Sequence, residues 1–575
     1  MNAMRQVWQR LAARLRHGAA AGALPGYAAW LAARIESRGK EYPVSPSPCR
    51  YSVISLVYER SDAAFLEEAH ASLREQTLPF FEWIVLAQGT LPQALEAVVC
   101  RLTGDPRVNV LHSKVNLGII RGMRRCLEVA RGDYVIPFDA DDLLTRDALQ
   151  LVDHGAHAAG RPAFLYSDED ALIAGKPRHP YLRPDWDPVL NWASSYVWHL
   201  CAFDRLAALE LGVFSDAGSE FCQDWDTVVR FANAGHKPHH VQEVLYHWRQ
   251  HEASSSNRAA AVDADIRSVR STRHLLESRI ADLPEAQRYE VQEFPIFRGA
   301  TEFHVARRRI EPATMDLIVI ARAPADGARA LRAVLDQCDY PIGSVCVVNA
   351  GALEPDDIDG YEAAAGALAA RLERVQGEST AAVLNAARRT AGDYLLVCSD
   401  AIGAVRPDAC WESLKLFELC RDTALICGRT VDRRGVVVQG AAVLGADGLP
   451  MFLDTGKPAS DAGPYALLLK AHTVGMVHCD FFFAAGPFLR QAALPHAASL
   501  AALGLWLGAS AAQARQRVAY SPLTAAEVHS TVLGLTNGRQ LDREEREAFL
   551  LAYRTTLPTS SLSAQRYVER CMLFS

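Results

Sequence analysis

Two short patterns recur along the chain at nearly one spacing, and this constrains it to a fold that is built twice. Glu75-Gln76-Thr77-Leu78-Pro79 returns as Asp336-Gln337-Cys338-Asp339-Tyr340-Pro341. Ala130-Arg131-Gly132-Asp133-Tyr134-Val135 returns as Thr390-Ala391-Gly392-Asp393-Tyr394-Leu395. Gln76 and Gln337 lie 261 residues apart, and Gly132 and Gly392 lie 260 apart. Around these motifs, residues 53–58, 83–87, 108–112 and 134–138 form short apolar runs of the kind expected of buried parallel strands. Phe65, Leu66, Ala69 and Leu73 are spaced for a helix face, and residues 119–130 are patterned as another helix. Strands alternating with helices imply βαβ units and a mostly parallel sheet. The expected class is α/β: two tandem Rossmann-like domains with helical extensions at both ends. The boundaries read as 1–48 for a helical extension and linker, 49–300 and 312–535 for the two copies, and 536–575 for a charged helical tail.

The chain has 575 residues, enough for about two to four domains. Its formal net charge of −7 argues against a nucleic-acid partner, which would need a basic domain or stripe. The 13 cysteines form no CxxC pairs, so they are expected to be reduced and buried, which favours a cytoplasmic setting. Arg5, Arg10, Arg14 and Arg16 interrupt any signal-peptide core. The uncharged stretch between Arg490 and Arg515 is mostly Ala, Ser and Gly, a poor composition for a spanning helix. Trp8, Leu11 and Leu15 recur at helical spacing among those arginines, so this segment either packs on the main domain or lies peripherally on the anionic inner-membrane surface.

The chemistry-bearing residues sit in the first copy. The run at 134–138 ends in Asp139-Ala140-Asp141-Asp142, where open α/β sheets bind their ligands. Carboxylate oxygens suit Mg²⁺ or Mn²⁺ bridged to substrate phosphates. The plain alternative is a solvated acidic turn that caps the next helix. Three more polar clusters follow apolar stretches: Tyr166-Ser167-Asp168-Glu169-Asp170, Gln223-Asp224-Trp225-Asp226 and Leu245-Tyr246-His247-Trp248-Arg249. Asp224 as a helix cap and His247 as a core histidine are the bland readings of the last two.

Taken in order, these pieces resemble glycosyltransferase family two, which has the GT-A fold. The resemblance runs over residues 51–257 through Val57-Tyr58-Glu59, Gln76-Thr77, Asn116-Leu117-Gly118, Gly132-Asp133-Tyr134, the acidic motif, Pro184-Asp185-Trp186 and the later clusters. It is closest to a branch that builds bacterial surface polysaccharides of O-antigen type. The resemblance implies a nucleotide-sugar donor (UDP-, dTDP- or GDP-linked), a glycan or polyisoprenyl-linked acceptor, a Mn²⁺ or Mg²⁺ cofactor, and inversion at the anomeric carbon. It implies that Asp141 and His247 hold the metal and that Asp224 is the general base. Asp139, Glu59, Asn116 and Gly118 would contact the nucleotide, Arg249 its phosphates, and Asp168 and Asp170 the donor sugar. Asp224 would open a helix, where the dipole favours an ionised carboxylate. One departure is Ala87-Gln88-Gly89-Thr90 in place of the usual Asp-Asp-Gly-Ser. Gln88 still offers a donor and an acceptor to a pyrimidine.

In the second copy Ser399 replaces Asp139, Ala401 replaces Asp141 and Ile402 replaces Asp142. No acid occurs near residues 499–505, where the counterpart of Asp224 is expected, although His529 persists near the position of His247. The second copy is therefore expected to have lost its chemistry, leaving acceptor binding, homodimerisation or core support. Two other functions compete: a non-catalytic glycan-binding or scaffolding module, and a nucleotidyltransferase. The four intact residues Asp139, Asp141, Asp224 and His247 weigh against the first. The absence of glycine in Val57-Tyr58-Glu59-Arg60-Ser61-Asp62 weighs against the second.

Overall fold

The computed structural model describes residues 27–251, 262–294, 303–351, 356–444, 450–495, 498–536 and 541–553. The amphipathic segment around Trp8, Leu11 and Leu15 lies outside them, as does most of the tail.

The strands of the first half are β1 (Tyr51–Val57), β2 (Phe81–Gln88), β3 (Val108–Ser113), β4 (Tyr134–Pro137), β5 (Leu143–Leu144), β6 (Phe164–Ile173), β7 (Lys176–Tyr181), β8 (Cys201–Asp204) and β9 (His239–Gln250). They form a nine-stranded sheet in the order β3-β2-β1-β4-β8-β6-β9-β5, with β7 paired to β6. A hairpin of β10 (Tyr289–Glu293) and β11 (Phe303–Arg307) follows. The second half holds β12 (Met315–Ala321), β13 (Ile342–Asn349), β14 (Leu372–Gln376), β15 (Tyr394–Ser399), β16 (Ile402–Val405), β17 (Thr423–Val431), β18 (Val437–Gln439), β19 (Ala442–Leu444), β20 (Pro450–Phe452), β21 (His472–Val474), β22 (Phe481–Ala485) and β23 (Arg517–Val528). Its main sheet runs β14-β13-β12-β15-β22-β17-β23-β16. Position for position this is the order of the first sheet. The strand senses also match: β1 is parallel to β2 and β4 as β12 is to β13 and β15, and β8 and β22 run antiparallel to their neighbours.

The recurring motifs sit at equivalent joints. A Cβ on Gly132 would lie 2.6 Å from the Ser52 backbone nitrogen, and one on Gly392 2.9 Å from that of Asp316. Each glycine also donates its N–H to the side chain it abuts, Ser52 Oγ at 2.8 Å and Asp316 Oδ2 at 2.7 Å. Only a residue without a side chain fits this crossing. Gln76 accepts from Leu149 N and Gln337 accepts from Val405 N, so both glutamines tie one helix end to the following segment.

The helix Tyr27–Glu41 packs on the first half through Arg38, which is fully buried and paired with Asp147 and Glu243. Across the two halves, Asp187 accepts from Thr473 N and Oγ1, and Val443 and Leu467 join the cluster that contains Tyr196 and Val213. The uncharged stretch after Arg490 forms the helix Leu503–Gln513, buried in the second core. Among the described residues, no helix is long and apolar enough to cross a membrane.

Candidate functional site

The acidic turn follows β4 at the C-terminal edge of the parallel strands, where the βα loops gather. Its three carboxylates have different surroundings. The Asp139 side chain is half exposed and lies 3.5 Å from His199 Nε2. Asp141 faces the same opening, and its Oδ2 lies 3.0 Å from His251 Nε2. Burial and the charge on Asp139 both raise its pKa above the ordinary carboxylate value. Asp142 is buried: Oδ2 accepts from the Tyr246 hydroxyl at 2.6 Å and Oδ1 from Arg249 N at 2.7 Å. It anchors the turn to β9.

His199 stands at the centre of this edge, just before β8. Its Nδ1 is 3.0 Å from Glu169 Oε2, and its ring stacks on Tyr246. Burial works against its charge, but hydrogen bonds to Asp139 and Glu169 outweigh that and lift its pKa to about 10. One atom each of Asp139, Asp142 and His199 lie close enough together to hold a metal ion. Both Asp142 oxygens, however, already accept hydrogen bonds, and the neighbouring Asp139 and Glu169 carboxylates favour the charged form of His199. The oxygen and imidazole donors of Asp141 and His251 are the better fit to a cation such as Mn²⁺.

Asp224 is the second residue of the helix Gln223–Asn233 and accepts from Ser195 Oγ at 2.9 Å. Here the sequence-based expectation needs correction. Burial raises the Asp224 pKa, although the Trp225 N–H, the Ser195 hydroxyl and the nearby His199 charge oppose it. Desolvation outweighs the helix terminus. Asp226 points elsewhere and is bound to Arg230 at 2.7 Å.

Several other expected contacts are not made. His247 is held by Asp170: its Nδ1 lies 2.6 Å from Asp170 Oδ1, and the Tyr27 hydroxyl donates to Asp170 Oδ2. The histidine that reaches the acidic turn is His251, the residue just after β9. Asp168 and Asp170 are buried in β6, where Asp168 Oδ1 accepts from Arg183 N and pairs with His240. They are bracing groups rather than donor-sugar contacts. Glu169, between them on the opposite face, reaches His199 and Arg183. Arg249 donates through Nε to the Asp141 carbonyl, pairs with Glu68 and stacks over Phe65, so it clamps the acidic turn instead of presenting itself to phosphates.

On the nucleotide side, Glu59 is exposed in the turn after β1. Gln88 is buried and accepts from Leu117 N at 2.9 Å, so it braces the loop that carries Asn116 and does not present its carbonyl to a base. Asn116 is exposed and its side chain accepts from Gly118 N. Gly118 has φ +80, and a Cβ there would lie 2.3 Å from Glu220 Oε1. Glu220 accepts from Ile119 N and Ile120 N at the start of the helix Gly118–Val129. His199, Glu169, Ser195, Glu220 and His251 were not singled out by sequence. His251 carried a signal, lying one alternation beyond Arg249, whereas His199 sits in an aromatic stretch with no polar company.

The corresponding edge of the second half is closed. Ala401 and Ile402 are fully buried, Asp400 is held by Arg322, and Ser399 donates to Asp480. His529 aligns closer to Arg249 than to His247, and its Nδ1 donates to the Ala401 carbonyl at 2.8 Å. The helix Leu503–Gln513 takes the place of Gln223–Asn233, and the counterpart of Asp224 is Gly504. A Cβ on Gly504 would lie 1.8 Å from the Val477 carbonyl oxygen, so that position has no room for any side chain.

Residues 52–154 match the family model for glycosyl transferase family 2. That span contains Asp139 and Asp141 and stops short of His199, Asp224 and His251. The chain is 29% identical over 382 residues to an uncharacterized protein, y4gI, of Sinorhizobium fredii, across 64% of this chain and 40% of that one. It is 30% identical over 348 residues to the O-antigen biosynthesis protein RfbC of Myxococcus xanthus, across 58% of this chain and 26% of that one. The chain therefore spans less than half the length of either relative. Among solved structures, S. aureus TarS 1–349 in complex with UDP-GlcNAc is similar at 17% identity and a TM-score of 0.34, covering 41% of this chain and 69% of that one.

Proposed function

We propose that this chain, whose residues 52–154 match the glycosyl transferase family 2 model, moves a sugar from a nucleotide-sugar donor to a hydroxyl of a glycan or lipid-linked acceptor during surface-polysaccharide assembly. The likeness to an O-antigen biosynthesis protein supports the polysaccharide context. The observation that carries the reading is convergence: Asp139 and Asp141, His199, Asp224 and His251 come from four separate segments and gather at one edge of the sheet. A binding module has no need of a desolvated carboxylate such as Asp224 beside an acidic turn.

A sugar hydroxyl is a weak nucleophile, so a placed carboxylate must take its proton as the new bond forms. Asp224 has that role, and Ser195 Oγ fixes its orientation. Its raised pKa makes it a better proton acceptor than an exposed aspartate. Asp141 and His251 would hold a divalent cation, with Asp139 beside them. When bound, that ion supplies Lewis-acid stabilisation to the departing diphosphate. His199, whose charged form Asp139 and Glu169 favour, restrains Asp139 and brings positive charge to the same edge. Attack opposite the leaving group inverts the anomeric carbon, so no covalent enzyme intermediate is formed.

The second half is read as a duplicated copy without chemistry. The identical strand order and the repeated Gly132 and Gly392 crossings support duplication. Gly504 and Ala401 support the loss of base and metal ligand. The test is a panel of nucleotide sugars assayed for Mn²⁺-dependent hydrolysis and for thermal stabilisation, since a ligand of the native state raises its melting temperature. A donor that stabilises wild type and Asp224→Asn alike but is turned over only by wild type bears out the reading. A chain that neither binds nor hydrolyses any donor overturns it.

A further inference from the structure

A second group of ligating side chains lies at the opposite edge of the first sheet. Cys49 stands two residues before β1, at the N-terminal ends of the parallel strands, whereas the acidic turn lies at their C-terminal ends. Asp153 and His157 are one turn apart on the helix Ala148–Ala158 and so share a face. One atom each from Cys49, Asp153 and His157 lie within 4.8 Å of one another. Cys49 and Asp153 are almost completely buried.

The polar bookkeeping of this cluster is incomplete. Asp153 Oδ1 accepts from Cys49 N at 2.7 Å and from the Tyr51 hydroxyl at 3.2 Å. Among the described residues, Asp153 Oδ2 and His157 Nε2 are both buried without a hydrogen-bond partner. A desolvated carboxylate oxygen and a ring nitrogen left unmatched side by side are costly unless something binds them. His157 Nε2 lies 3.7 Å from Asp153 Oδ1. Burial and the Asp153 carboxylate push the free Cys49 thiol up to about 11, with Arg161 and Asp133 the other charged groups near it.

The second half has solved the same joint differently. The helix starts Asp147-Ala148 and Asp408-Ala409 correspond, as do the strand pairs Tyr51 with Tyr134 and Met315 with Tyr394. On that alignment Cys49, Asp153 and His157 become Ala313, Leu414 and Glu418. Leu414 is buried in an apolar cluster beside Ala313, and Glu418 is taken up by Arg307 and Tyr289. One backbone joint thus carries Ala313, Leu414 and an ion-paired Glu418 in one half and a thiol, a carboxylate and an imidazole in the other.

We propose that Cys49 Sγ, Asp153 Oδ2 and His157 Nε2 bind a borderline-soft divalent cation, Zn²⁺, that fastens the chain leading into β1 to the helix Ala148–Ala158. Thiolate, imidazole and carboxylate together select Zn²⁺ over Mg²⁺ or Ca²⁺. Binding releases the Cys49 thiol proton to solvent, and a water completes four-coordination on the partly exposed His157 side. The site is at the far edge of the sheet from the acidic turn, so the ion takes no part in the chemistry there.

The test uses the reduced, chelator-treated full chain titrated with Co²⁺. A thiolate-to-cobalt charge-transfer band reports a cysteine ligand, and the donors around Asp141 include no cysteine. The expected result is a band that saturates at one equivalent, is displaced by Zn²⁺, vanishes in Cys49→Ser and persists in Cys100→Ser, which alters an exposed thiol. His157→Gln is expected to weaken Co²⁺ binding about 10-fold or more. Zn²⁺ at 100 times its Kd is expected to raise the wild-type melting temperature by roughly 5 °C. Cys49→Ala/Asp153→Leu, which borrows the second half's residues, is expected to fold and to show no such rise. Absence of the band in wild type, its persistence in Cys49→Ser, or wild-type Co²⁺ affinity in His157→Gln overturns the proposal. The His157→Gln result decides if Cys49→Ser does not fold.

Discussion

Replacing Ser195 by alanine removes the hydroxyl that donates to Asp224 Oδ2 at 2.9 Å. A hydrogen bond to a charged group is worth about 1.5–3 kcal/mol. The lower end applies here, because Ser195 is exposed and water can partly replace its hydroxyl. The bond favours the ionised carboxylate, so losing about 1.5 kcal/mol moves the protonation midpoint upward by about one pH unit. Turnover requires the ionised base and fails as pH falls through that midpoint. In Ser195→Ala the acidic limb of the kcat/KM profile for donor hydrolysis should therefore move up by about one pH unit, with the plateau nearly unchanged. The assay is nucleotide release against pH at fixed Mn²⁺, for wild type, Ser195→Ala and Asp224→Asn. Asp224→Asn should lose roughly two to four orders of magnitude on the plateau and show no such acidic limb. Stability should move the other way. Burial raises the Asp224 pKa above its unfolded value, so the protonated form is the one the fold favours. That contribution is complete below the unfolded pKa and is lost as pH rises through the folded one. Asp224→Asn, neutral throughout, should melt above wild type at neutral pH, and the gap should close on acidification. An unmoved acidic limb in Ser195→Ala, or near-normal turnover in Asp224→Asn, would refute the assignment of Asp224 as base.

Four further outcomes are expected. Calorimetric affinity for Mn²⁺ with a nucleotide should fall about 10–100-fold in His251→Ala and in Asp141→Ala but stay near wild type in His247→Ala, whose ring faces Asp170. Ala401→Asp should create no metal-dependent nucleotide binding in the second half. Arg38→Ala leaves Asp147 buried without its cation, while Glu243 keeps Arg34, and should destabilise the first half by about 3–5 kcal/mol in denaturant unfolding. Gly504→Ala forces a methyl against the Val477 carbonyl and should cost at least about 1–3 kcal/mol while leaving donor hydrolysis per folded molecule unchanged.

The sequence alone determined the features set by local pattern. Apolar runs of strand length alternating with helical periodicity mark β1 to β4, and each falls within one or two residues of its expected bounds. The repeated glycine was legible because a backbone crossing tolerates no side chain at Gly132 or Gly392, and that demand survives when surrounding residues drift. Asp139 and Asp141 were legible because they end a strand at the edge where such sheets bind ligands. Only the tertiary structure decided which polar groups share the opening. Asp168 and Asp170 look as functional as Glu169 in sequence, yet strand alternation turns them into the body of the domain and turns Glu169 toward His199. His247 on β9 and His251 just past its end differ by only four residues, yet the fold pairs the first with Asp170 and the second with Asp141. The Asp224 pKa went the same way: the helix terminus is a local fact readable from sequence, but desolvation depends on everything packed around the carboxylate and it outweighs the helix. Periodicity and backbone sterics act between near neighbours in the chain, whereas burial and charge pairing act across the 139–251 span, where only the folded arrangement sets the distances.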